Sequence, residues 1–348
     1  MLFNLRCYRK DLSYRVSRHL KSLKISGSGH NDSRRGKYVE TAEKLNIEII
    51  PLGFGLYELK KNDVIAIGIG YDKQNVVTNM ICKNKYLNYK VLERKGINCF
   101  PRHQYYTFKD FRKTYEDFEN WNCPVVIKPC SDTYGGQGVT VNIKTVKDLK
   151  NAIAQSFIFD RDGYLMEEYI KGSHFRVLTL KGDFVSCCQR VPARIIGNGR
   201  DSIKKLIDKE NQRRKAHKSE TILYPIKVDN EVKRKIRSLN KSANSVLEKD
   251  EEFFVKDVVN LHSGGEILHI ENVSEEIKSL CKKIANMLDI YLAGFDIITS
   301  DISRPFSETD GVINEINSTP DIDFMYKVIN HGTRVDAIEI VLKDVFNL

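Results

Sequence analysis

The chain has 348 residues, 41% of them hydrophobic and 29% charged, with a formal charge of +10. That length supports two or three packed layers and more than one lobe, and the balance is that of an ordinary soluble globular protein. No apolar run approaches the ~20 residues needed to cross a bilayer, and the basic N-terminus lacks the apolar core and cleavage site of a secretory signal, so an intracellular, cytoplasmic location is expected.

The eight cysteines show no CxxC pair and no metal-ligand spacing, which reads as free thiols, several of them core residues. Adjacent Cys187 and Cys188 would alternate faces in a strand and serve packing. The Lys and Arg residues are spread along the whole chain without an aromatic-plus-basic repeat. An anionic small ligand is therefore favoured over nucleic acid as the reason for the charge, and no membrane contact is expected.

Residues 1–36 form a basic arm, a helix ending in the polar cluster "SGSGHNDSRRG" that contains His30. From Tyr38 the pattern gives a helix, "YVETAEKLN", a strand, "IEIIPLG", and a second helix, "NKYLNYKVLERKG". That helix has Leu87, Val91 and Arg94 at helical spacing and Gly96 as its stop. Trp121, a packing residue, precedes the apolar strand "CPVVIKP". The glycine-containing turn "CSDTYGGQGVTVNI" follows, then a helix capped by Thr145 with Asp148 three residues on. "GYLMEEYI" reads as a strand, and "FRVLTLKGDFVSCCQRV" as a hairpin turned at Lys181-Gly182-Asp183. Residues 200–260 read as solvated helices. "SEEIKSLCKKIANMLDI" is an amphipathic helix with Ile277, Leu280, Cys281, Ile284 and Leu288 on one face. It leads into "LAGFDIITSD" and, after a short loop, "VINEINSTP".

The last two segments are apolar strands that carry Asp296, Glu315 and Asn317. The loop between them is too short for a crossover helix, so they should pair antiparallel and bring the three oxygen-bearing side chains together. Hard divalent cations take such ligands. The alternative is that each acid is paired with a buried Arg or capped by backbone amides. Lys128 closes an apolar strand, and Gly135, Gly136 and Gly138 follow. Glycines admit phosphate close to backbone N–H groups, although an ordinary hairpin turn would use the same residues.

Taken in order, "NKYLNYKVLERKGI", "VVIKP", "GGQGVTVNI", "LMEEYIKG", "QRVPARIIGNG", "VVNLHSGG", "AGFDIITSDIS" and "VINEINSTP" resemble the ATP-grasp ligases. Within them the chain is similar to the ATP-grasp parts of bifunctional glutathione synthetase and of cyanophycin synthetase, over about residues 38 to 328. The resemblance implies an α/β (α+β) ATP-grasp fold of three lobes, with the nucleotide between two antiparallel-rich sheets. The boundaries expected are a basic arm 1–36, a substrate-side lobe 37–84, a central lobe 85–170 with the phosphate loop, and a C-terminal lobe 171–348 with the metal ligands.

The cofactors implied are ATP and Mg²⁺, with Mn²⁺ as a substitute. Lys85 and Lys128 match the lysines that meet the phosphates, and Gly135, Gly136 and Gly138 the loop that folds over them. Glu167, Glu168, Tyr169 and Ile170 match the hinge along which adenine lies. Arg176 and Arg190 match basic positions facing the transferred phosphate, so Arg190, Lys128 and Arg176 form the catalytic set. Asp296, Glu315 and Asn317 match the metal ligands. His174 stands where those ligases carry an acid for the ribose hydroxyls, a departure that implies either weaker nucleotide binding or a ribose held another way.

The activity implied is ATP-dependent joining of a carboxylate and an amine through an acyl phosphate, on amino acid or peptide substrates. Three other readings stay open: an enzyme modifying a ribosomal precursor peptide or biosynthetic intermediate, a non-catalytic nucleotide-binding relative, and, from charge alone, a nucleic-acid binder. His262 in "HSGG" reads as a turn residue, and a homo-oligomer is compatible with the sequence. The sequence stops at Leu348 without a second ligase domain, so cyanophycin polymerisation itself is not expected.

Overall fold

A computed structural model describes residues 33–348, apart from 54–55, 68–72, 131–135, 217–222, 258, 260, 262–263, 327 and 331–334. His30, Gly135 and His262 therefore lie outside the described residues. Helix α1 (Ser33–Lys44) begins five residues before the expected helix and leads into a three-stranded antiparallel sheet, β1 (Glu48–Gly53), β2 (Leu56–Lys61) and β3 (Val64–Ile67). Helices α2 (Val76–Lys83) and α3 (Lys85–Arg94) follow, each started by an asparagine. Asn75 accepts from the amides of Val77 and Thr78, and Asn84 from that of Leu87, the usual way a short polar side chain satisfies a free helix N-terminus.

The central sheet has the order β4-β7-β5-β6, built from β4 (His103–Tyr106), β5 (Val125–Pro129), β6 (Thr140–Ile143) and β7 (Tyr164–Glu168). Helices α4 (Phe111–Trp121) and α5 (Val146–Phe159) cover one face, where Phe118, Val125, Ile127, Leu149, Ile153 and Met166 share a core. Thr145 caps α5 as expected, accepting from the Asp148 amide at 3.2 Å and donating to its carboxylate at 2.7 Å.

The C-terminal sheet is five-stranded, in the order β12-β9-β8-β13-β14. Its strands are β8 (Ser173–Leu180), β9 (Asp183–Val191), β12 (Glu266–Ile270), β13 (Leu292–Thr299) and β14 (Val312–Asn317). The β8–β9 hairpin turns where expected, with Lys181 and Gly182 at φ of 50° and 84°, a backbone that glycine adopts at little cost. Strand side chains alternate, so this sheet has two inner faces. Val177, Cys187 and Phe295 pack under helix α8 (Glu275–Met287), whereas Leu178 and Cys188 face the other way. The two adjacent cysteines thus sit in different cores, both fully buried. The second core also takes in Ala42 of α1, Leu59 of β2 and Val341 of helix α9 (Ala337–Phe346). Residues assigned from the sequence to separate lobes, 37–84 and 171–348, therefore share one hydrophobic core.

The polar stretch 200–260 departs from the solvated-helix expectation. Helices α6 (Ile203–Ala216) and α7 (Asn230–Ser238) pack with the two-stranded sheet of β10 (Arg194–Ile196) and β11 (Glu252–Phe254). Ile203, Leu206, Ile207, Val232, Ile236, Leu247 and Phe253 form a core of their own there. Arg214 of α6 is itself buried, bonded to Glu210, Glu266 and two carbonyls.

Candidate active site

The site forms where the face of the C-terminal sheet that carries Leu178 and Cys188 meets the N-terminal end of α3 and the end of β5. Cross-strand partners in an antiparallel sheet share a face. The register puts Cys188, Arg176, Asp296 and Glu315 in one row across β9, β8, β13 and β14. Arg190 and His174 are opposite each other in a neighbouring row, and Asn317 is opposite Gly294 on the other side. The expected antiparallel pairing of the Asp296 and Glu315 strands is thus present, with a bulge directly after Asp296.

Asp296 does not stand open. The Arg176 Nη2 donates to its Oδ2 at 3.0 Å, Arg176 Nε donates to its Oδ1, and Arg190 Nη2 pairs with the same oxygen. Burial alone would favour the neutral acid, but the two guanidinium groups outweigh it and hold the carboxyl at about 2. Gly294 makes room for this arrangement. A Cβ there would lie 2.7 Å from the Pro320 Cβ and 3.1 Å from both Cδ and Nη1 of Arg176.

Helix α3 and strand β5 supply the lysines. Lys85 opens α3, its amide tied to the Cys130 carbonyl at 2.8 Å, and its ammonium lies 3.1 Å from Glu315. Burial works against that charge, yet the Glu315 carboxylate beside it raises the lysine above its ordinary value. Lys128, 3% exposed at the end of β5, lies 2.7 Å from Glu167, which is 1% exposed. Lys128 also donates to the Tyr89 hydroxyl at 3.2 Å and to Asn314 Oδ1 at 3.4 Å. The Tyr89 hydroxyl donates in turn to the Asn314 carbonyl at 2.6 Å. Its phenol is pushed up by burial first and by Glu167 second, so it keeps its proton. Helix α3 accordingly buries Lys85, Asn88, Tyr89 and Leu92, while Leu87 is exposed. Of the residues read at helical spacing, Leu87 is exposed and Val91 packs, partly buried, against the core beneath α8.

Asp296, Glu315, Asn317, Lys85, Lys128, Arg176 and Arg190 are therefore gathered at one junction. The hinge is more occupied than a free recognition edge, since the Glu168 amide bonds the Arg102 carbonyl and the Tyr169 amide the Pro124 carbonyl, both at 2.9 Å. Ile170 follows directly, ahead of β8. Gly136 and Gly138 have φ of 76° and 74°, and a Cβ on Gly138 would strike Pro129 at 2.7 Å. The glycines there are required by the backbone as well as by close packing. His174 is largely buried, and burial, with Arg190 second, lowers its imidazole to about 4. Tyr89 and Asn314 escaped the sequence reading, although Tyr89 stands one helical turn after Lys85 and Asn314 directly before Glu315.

Among the described residues Glu315 pairs with Lys85 and keeps 26% side-chain exposure, and Asn317 adds a side-chain carbonyl oxygen two residues on. These hard oxygen donors fit Mg²⁺ or Mn²⁺. Asp296 would join them through an oxygen that already accepts from a guanidinium. Among the described residues no cluster of three His, Cys, Asp or Glu side chains offers another metal site. The thiols nearby are not nucleophiles, since burial pushes Cys82 and Cys130 up to about 12.

A profile of the ATP-grasp domain matches residues 82–320, more than half of the chain. The chain belongs to the ATP-grasp family. Cyanophycin synthetase of a Synechocystis species is 29% identical to this ATP-grasp chain over 287 residues, 78% of the chain and 31% of that protein. The glutathione biosynthesis bifunctional protein GshAB of Clostridium perfringens is 25% identical over 283 residues, 79% of the chain and 35% of that protein. The chain thus spans about a third of the length of these curated relatives. The crystal structure of a bifunctional glutathione synthetase from Pasteurella multocida superposes with a TM-score of 0.62 at 21% identity, covering 90% of this chain and 43% of that one. That likeness supports the fold: helices with antiparallel sheets in the ATP-grasp arrangement. No helix among the described residues is long and apolar enough to cross a membrane.

Proposed function

We propose that this ATP-grasp chain is a carboxylate–amine ligase that forms an amide or peptide bond at the expense of ATP. The observation that carries the reading is the meeting of α3 and β5 with the C-terminal sheet at one point. Lys85 at the start of α3 lies 3.1 Å from Glu315 of β14, and Lys128 at the end of β5 donates to Asn314 at 3.4 Å in the same strand. Four cations and three acids are gathered at one junction, a charge set that suits a triphosphate with its metal.

The triphosphate would lie on Lys85 and Lys128, the transferred phosphoryl group on Arg176 and Arg190, and adenine along 167–170. Glu315, Asn317 and Asp296 would hold Mg²⁺, whose chemistry is to neutralise charge on bridging phosphate oxygens. A carboxylate oxygen of the first substrate attacks the terminal phosphorus, and the bond to ADP breaks. The resulting acyl phosphate is attacked at carbon by the amine nitrogen, phosphate leaves with the electron pair, and the nitrogen loses a proton. The chain's own residues contribute position and countercharge, which are the main sources of acceleration in phosphoryl transfer. The curated relatives are named for cyanophycin and glutathione, which favours amino acids or short peptides as substrates here. His174 is the one feature that favours a weak or non-catalytic nucleotide binder.

The test is phosphate release and ADP formation over pairs of amino acids and short peptides, with mass spectrometry of the products. A product whose mass is the sum of both substrates less one water, formed with stoichiometric ADP, supports the ligase. Tight nucleotide binding without turnover on any pair supports the binder instead.

A further inference from the structure

We propose that His174 leaves the nucleotide sugar weakly read, so that ATP and its 2′-deoxy counterpart are both accepted. This rests on the nucleotide placement above. With the base along 167–170 and the phosphates on Lys85, Lys128 and Arg176, the sugar must pass between the hinge and Arg176. His174 occupies that interval. It lies four residues beyond Ile170 and two before Arg176 on β8, about 7 Å from it along the strand and on the same face. The side chains beside it in the sheet offer no substitute. Arg190, opposite it on β9, only donates hydrogen bonds, and Ile298, opposite it on β13, is apolar. The nearest acid on that face, Asp296, has both oxygens engaged by Arg176 and Arg190.

Two sugar hydroxyls are two donors in search of acceptors. A carboxylate accepts from both at once through charge-assisted bonds, whereas an imidazole has a single lone pair to give and carries no negative charge. Removing one hydroxyl therefore forfeits at most one neutral bond and leaves no buried anion unpaired. Strong selection by a site built for a hydroxyl comes from that unpaired group, and here it is missing.

Calorimetric titration of the intact chain with ATP, 2′-deoxy-ATP and 3′-deoxy-ATP, each with Mg²⁺, tests the proposal. The three dissociation constants should agree within about threefold. In His174→Glu the preference for ATP over 2′-deoxy-ATP should rise by about tenfold or more, the worth of one bond to a charged acceptor. His174→Gln, which adds no charge, should keep the flat profile. A wild-type preference for ATP above tenfold overturns the proposal while leaving the nucleotide site intact, as does a His174→Glu variant that binds both sugars alike. Failure of every triphosphate to bind overturns the nucleotide placement, and this inference with it.

Discussion

Replacing Glu315 by Gln keeps its shape and removes its charge from the contact with Lys85. The two groups are 3.1 Å apart with side-chain exposures of 8% for the lysine and 26% for the acid. The gross attraction at that distance is about 5 kcal/mol at an effective dielectric constant of ~20, before desolvation is subtracted. Breaking a fully buried pair costs about 3–5 kcal/mol and an exposed one about 0–1. With one partner buried and the other a quarter exposed, a loss of about 1–3 kcal/mol is expected, seen as a melting point lower by roughly 1–4 °C. The sharper consequence lies in binding. The folded protein uses Glu315 to hold the lysine that phosphate would need, so a metal-free nucleotide competes with that carboxylate, whereas a metal ion removes it. Calorimetry with ADP should then show opposite signs: in EDTA the variant binds ADP about threefold to tenfold more tightly than wild type, and with Mg²⁺ more weakly. If both affinities fall together, or neither changes, Lys85 and Glu315 are not exchanging partners around a nucleotide.

Lys128→Met strands Glu167 at 1% exposure, so a loss of about 3–5 kcal/mol by urea denaturation should accompany the loss of ADP formation; adding Glu167→Gln should restore most of the stability and none of the turnover. Gly294→Ala places a methyl against Pro320 and Arg176, which should cost about 1–3 kcal/mol and reduce turnover more than ADP binding, measured by denaturation and initial rates. His174 titrates near 6.5 when unfolded and about 4 when folded, so between these values the unfolded chain binds the extra proton and stability falls as pH drops. His174→Gln should flatten that fall by about 1–3 kcal/mol, read from urea midpoints at pH 7 and pH 4.5.

How much of this was legible in the sequence depends on the range of the interaction. The caps at Thr145 and the turn at Lys181-Gly182 are local, and their residue types carry the geometry within four positions. The antiparallel pairing of β13 and β14 followed from a short loop and a period-two pattern, and it placed Asp296 against Glu315. The alternatives left open for those acids were metal ligand or partner of a buried Arg, and in the folded chain Asp296 is held by two arginines, one 120 residues away along the sequence. No local pattern encodes such a contact, since it depends on which strands become neighbours. The polar 200–260 segment misled for a related reason. Its apolar positions are sparse along each helix and form a core only when α6, α7, β10 and β11 meet.

The same pairing explains how so charged a cleft is stable at all. A lone buried ion is expensive to desolvate, and four cations facing one cavity would repel one another. Each is instead set against an acid: Lys85 with Glu315, Lys128 with Glu167, and Arg176 and Arg190 with Asp296. Two of these acids, Glu315 and Asp296, are also the ones that would hold the metal, whereas Glu167 neutralises Lys128 from outside that set. On the proposed placement, metal and phosphate together would replace these internal partners in kind, so filling the site need not leave a charge unpaired. Either ligand alone would, and this is why the Glu315→Gln titration is expected to change sign with the metal.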